Sequence, residues 1–144
     1  MKKTLSLFTA MILLMCAGCQ GVSTAPTANT AINTTVFKGY QISYEFELIS
    51  NASVGNDWVK SIDANGSPLP NGKIFSADAQ SPLYLSMTIM EDDKYPDVGR
   101  GSMSLSLEDG AVTSTEITVR ENKGRFSGNT ALWEVTAFCQ AVYE

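Results

Sequence analysis

From Val36 to Glu144 the chain alternates apolar and polar positions with a period of two. The clearest run sets Tyr40, Ile42, Tyr44, Phe46 and Leu48 against Gln41, Ser43, Glu45 and Glu47, the pattern of a strand with one face buried. Trp58 to Ala64 reads as a second strand. Asn65-Gly66 follows as a hairpin turn, since both residue types tolerate positive φ. Pro68, Pro70 and Asn71-Gly72 make the next stretch irregular before a strand at Lys73 to Ala77. Leu83, Leu85, Met87 and Ile89 share one face of a strand over Leu83–Met90, with Pro82 at the tolerated first position. Met103, Leu105 and Leu107 repeat the pattern over Ser102–Leu107, Asp109-Gly110 turns the chain, and Thr115, Ile117 and Val119 form another strand. The last strand places Trp133, Val135, Ala137 and Cys139 on one side. No window carries an i, i+3, i+4 stripe long enough for a core helix, and no internal repeat is visible. The expectation is an antiparallel β-sandwich of about seven or eight strands over residues 36–144.

The first 35 residues follow different rules. Met1-Lys2-Lys3 is a positive start, and Leu5 to Met15 is an apolar run bearing only Ser6 and Thr9 as polar interruptions. That length suits a secretory signal and falls short of the ~20 residues that span a bilayer. The run closes on Cys16-Ala17-Gly18-Cys19, which resembles the lipobox of bacterial lipoproteins. The resemblance implies removal of residues 1–18 as a signal peptide and attachment of lipid, palmitate included, at Cys19. Gln20 in the following position implies transport to the outer membrane, facing the periplasm. Residues 19–35 then form the lipidated start and a tether, rich in Thr, Ala and Ser and without charge, that buries too little apolar surface to repay ordering.

Composition narrows the chemistry. The 144 residues include no His, which excludes a Ser-His-Asp or Cys-His nucleophile and any His-ligated zinc. Ten basic against fifteen acidic side chains give a formal charge of −5, and loss of Lys2 and Lys3 with the signal deepens it to −7. Such a balance argues against a nucleic-acid partner. Of the three cysteines, Cys16 leaves with the signal and Cys19 takes the lipid. Cys139 is then alone, no internal disulfide forms, and the thiol reads as a small buried apolar group.

The densest polar cluster is Glu91-Asp92-Asp93-Lys94-Tyr95-Pro96-Asp97, in the turn between two strands. Its ordinary reading is a solvated connection; its sharper reading is a calcium loop, because calcium accepts six to eight oxygens in flexible geometry. The cluster and its flanks, Met87-Thr88-Ile89-Met90 and Gly101-Ser102-Met103-Ser104-Leu105, resemble the third calcium loop of C2 domains. The resemblance implies a C2/immunoglobulin-like sandwich binding Ca2+ through Glu91, Asp92, Asp93 and Asp97, with Asp57 supplied from the neighbouring Ser53–Trp58 turn. Asp63-Ala64-Asn65-Gly66 begins like an EF-hand but fails it, with Gly at the fourth position and Ile74 at the twelfth.

Paired carboxylates can do acid–base work without histidine. Here Glu45 and Glu47 face outward, and no apolar pocket is evident around the acidic turn, so the expectation is a protein that is not an enzyme. Arg120, Lys123 and Arg125 make a basic turn able to touch a glycan or an envelope protein, and Trp58 is a further contact candidate. The functional expectation is a membrane-anchored binding or structural accessory module. Its alternatives are a component of an envelope or secretion assembly, or a protein inhibitor of an enzyme.

Overall fold

The alternation becomes eight strands. The computed structural model describes residues 35–144, so the signal segment 1–18, Cys19 and the tether as far as residue 34 lie outside the described residues. In chain order the strands are β1 (Phe37–Asn51), β2 (Trp58–Ala64), β3 (Ser67–Pro68), β4 (Lys73–Ser76), β5 (Leu83–Glu91), β6 (Asp97–Leu105), β7 (Val112–Arg120) and β8 (Thr130–Tyr143). They form two four-stranded antiparallel sheets, ordered β4-β1-β8-β7 and β3-β2-β5-β6. Each sheet buries one face, which is why the strands alternate instead of being apolar throughout.

Between the sheets, Ile42, Ile117, Val119, Val135, Ala137 and Cys139 meet Ile62, Leu83, Leu85, Met87, Ile89 and Leu105. Each large aliphatic chain removed from water in this layer contributes about 1.5–3 kcal/mol. Cys139 is one of these packed residues, and burial pushes its thiol above the ordinary value. Edge strands β6 and β7 close one side. A Cβ at Gly99 would stand 2.8 Å from both Ile117 Cγ2 and the Thr118 carbonyl, and one at Gly101 2.7 Å from Ile117 Cγ1. Only glycine permits that approach. On the other side the Tyr44 hydroxyl donates to the Leu69 carbonyl at 2.8 Å, and Lys60 Nζ lies 4.9 Å from the Trp133 ring centroid.

Three boundaries differ from the alternation. β5 continues to Glu91 and β6 begins at Asp97 rather than Ser102, so the acidic cluster supplies the ends of two strands as well as a turn. Ser67–Pro68 pairs briefly with β2 inside the segment expected to be irregular. A register shift between Leu48 and Ser50 breaks the phase of β1, leaving Leu48 and Ile49 exposed. On the outer face of the first sheet the register aligns Glu47, Glu134 and Glu116 across three strands, a solvated acidic row.

The two ends of the sandwich have different content. At one, Val36 and Glu144 exchange backbone hydrogen bonds, 2.9 Å each way, and Lys38 pairs with Glu144. β1 carries the chain from there over its 15 residues, roughly 50 Å at strand rise. The far end gathers the β1–β2, β5–β6 and β7–β8 connections.

Candidate functional site

The far-end loops are held by their own polar side chains. Asn51, the last residue of β1, accepts from the Val54 N–H at 2.9 Å and donates to the Gly55 carbonyl at 2.7 Å. This clamp turns the β1–β2 loop down so that Val54 is buried in the core. Gly55 has φ +126°, and a Cβ there would run into the Glu91 carboxylate. The Asp92 N–H donates to the Asp57 carbonyl at 2.7 Å, tying the first loop to the second. Asp93 accepts from the Tyr95 N–H at 2.6 Å, a local turn that shapes the acidic hairpin.

Glu91 and Asp97 stand opposite each other in the β5–β6 register, with Trp58 on the other side of Glu91 in β2. Both acids are buried, 4% and 1% exposed, but their surroundings differ. Asp97 Oδ1 accepts from the Asn122 backbone N–H at 2.9 Å and from its amide Nδ2 at 2.7 Å. That side chain pins the β7–β8 loop. Glu91 Oε2 has no hydrogen-bond partner. Burial pushes the Glu91 carboxyl above its ordinary 4.5, with repulsion from Asp93, Asp57 and Asp97 adding to it and the Asp57 backbone N–H offsetting part. Glu121 is raised in the same direction, by burial first and then by Asp97 and Asp93.

Glu91 opens into a cleft of about 530 Å³ whose lining includes Val54, Gly55, Asp93, Glu121 and Phe126. The cleft's three carboxylates therefore come from the end of β5, the β5–β6 loop and the β7–β8 loop, with Glu91 the buried one, while the β1–β2 loop adds Val54. Among the described residues the ion pair is Lys38–Glu144, at the other end of the sandwich, so no basic side chain pairs with the cleft acids. Nor do three acidic side chains anywhere among the described residues stand close enough together to hold a metal ion.

The residues singled out in the sequence divide accordingly. Glu91 and Asp93 face the cleft. Asp97 is engaged by Asn122, while Asp57 and Asp92 are exposed outside the cleft lining. The five acids named for calcium thus stand in different surroundings, two of them lining the cleft. Trp58 is half-buried and packs edge-on against Trp133, ring centroids 5.2 Å apart, which makes it a core residue at the cleft end rather than a free contact. Arg120, Lys123 and Arg125 are exposed. Lys123 lies over Tyr95 at 5.0 Å and Arg125 over Phe126 at 5.7 Å, so these cations rest on aromatic rings beside the cleft.

Sequence reasoning missed Glu121 and Phe126, but a signal for Glu121 was present. Glu91 continues the inward phase of Leu83, Leu85, Met87 and Ile89, and Glu121 continues that of Ile117 and Val119. An acid in phase with a buried face is drawn toward the interior, fully for Glu91 and partly for Glu121. No protein-family model matches the chain, and neither a curated protein nor a solved structure matches it.

Proposed function

We propose that this protein is an outer-membrane lipoprotein whose periplasmic β-sandwich is a binding module, with the Glu91 cleft as its recognition site for a positively charged group. The observation that carries the reading is the unpartnered Oε2 of Glu91, a buried acid that lines one cleft with Asp93 and Glu121, none of the three in an ion pair. A buried charge left unpaired costs several kcal/mol at its upper limit, and a cationic ligand removes that cost. The lipobox-like Cys16-Ala17-Gly18-Cys19 supports the anchor.

Calcium is the second reading, favoured by the oxygen-rich loop and its likeness to C2 domains. Both readings make the cleft cation-responsive. Melting of the full chain in mild detergent, with calcium chloride or arginine hydrochloride against sodium chloride at equal ionic strength, tests this. At least one of the two cations should raise the wild-type melting temperature more than that of Glu91→Gln. Equal responses of both proteins to every salt would remove the reading. Palmitate labelling that persists in Cys19→Ala would remove the anchor.

A further inference from the structure

On the reading of the cleft as a cation site, we infer that its occupant is an arginine side chain presented by a partner protein. Four observations converge on a guanidinium. The cleft volume of about 530 Å³ is many times the ~30 Å³ share of a water molecule, so a bare ion would leave most of it unfilled. Its carboxylates are spread beyond metal-holding distance, which suits a planar group with five donors rather than a single point charge. Phe126, 48% exposed with Arg125 over one face of its ring, and buried Val54 line the same cleft, and the exposed ring gives an apolar surface for the methylene stem. Glu91 lines the cleft and its buried Oε2 has no hydrogen-bond partner, so a small side-chain rotation brings an unused acceptor to one guanidinium N–H.

The occupant is not a preceding segment of this chain, because no Lys or Arg occurs between Lys3 and Lys38. A second copy is a different matter, since Arg120 and Arg125 are exposed at this same end. The test therefore separates a partner from self-association.

The experiment titrates the isotope-labelled full chain, in mild detergent, with four probes: Ac-Gly-Arg-Gly-NH2, its citrulline counterpart, its lysine counterpart, and calcium chloride. Amide resonances of Gly55, Asn56 and Asp57 report the cleft. The arginine peptide should shift them saturably, the citrulline peptide should not, and lysine should bind several-fold more weakly. Glu91→Gln should weaken arginine binding about tenfold, and Glu121→Gln, at a half-buried position, should weaken it with the fold intact. Asp92→Asn, which removes one charge outside the cleft, should leave it within about twofold. Calcium shifts without arginine shifts would overturn this inference and leave a cation site standing; no response to any probe would overturn both. Lysine binding equal to arginine, or concentration-dependent dimerisation abolished by Glu91→Gln, would also overturn it, the latter by placing a second copy in the cleft.

Discussion

Glu91 and Asp97 face each other across one hairpin, carry the same charge and are equally withdrawn from water, yet they sit in opposite surroundings. On the Asp97 side, Asn122 donates both its backbone N–H and its amide to one carboxylate oxygen, and the carboxylate fixes a loop. On the Glu91 side, a loop bent by Asn51 and Gly55 lies against the carboxylate, and one buried oxygen has no hydrogen-bond partner. The first arrangement explains itself within the chain. The second is complete only with something added. Burial alone does not mark a functional acid; burial without a partner, beside open volume, does.

Removing each side of this pair should give opposite results. Asp97→Ala should have the largest effect, lowering unfolding free energy by about 2–4 kcal/mol, because it empties a position 1% exposed and removes both hydrogen bonds that hold the β7–β8 loop. Urea unfolding measures it, and a loss below about 0.5 kcal/mol would dissolve the contrast. Gly55→Ala comes next, at about 1–3 kcal/mol, since it forces a Cβ toward Glu91 at a positive φ; it should also abolish cation binding.

Glu91→Gln should act in the other direction, stabilising the unliganded protein by about 1 kcal/mol while removing ligand response, because a neutral amide is cheaper to bury than an unpaired carboxylate. The pH dependence follows from the same shift. A carboxyl raised above 4.5 in the folded state lets the folded protein bind protons more readily than the unfolded chain. Its penalty is therefore full above the raised value and vanishes as pH falls through that value to below 4.5. Melting curves from pH 7 downward should show the gap between wild type and Glu91→Gln narrowing. Asp57, Asp93, Asp97 and Glu121 stand around the site, and all are present in both proteins. The smallest effect belongs to Glu134→Gln in the solvated row with Glu47 and Glu116, within about 0.5 kcal/mol and without change in ligand response.

The sandwich was legible because its signal is periodic and redundant. The Leu83 to Ile89 run and the Trp133 to Cys139 run each state a buried face several times over, and Asn65-Gly66 turns with φ +50° and +78° as its residue types predict. Strand ends were harder to read, because acids in succession look like a turn while the phase of the preceding strand continues through Glu91. The cleft was harder still. Glu121 and Phe126 lie in a segment whose most visible feature is the basic trio Arg120, Lys123 and Arg125, and their approach to Glu91 depends on three loops meeting across both sheets. Whether Asp97 or Glu91 would capture Asn122 is a matter of side-chain geometry that spacing along the chain does not encode.

Comparison of urea unfolding for wild type and Glu91→Gln at neutral pH, without added ligand, tests the central claim most directly. The account predicts a higher midpoint for Glu91→Gln with an unchanged slope, as expected when an unsatisfied carboxylate kept for a ligand is neutralised. A lower midpoint would contradict it, showing that Glu91 is a structural partner like Asp97.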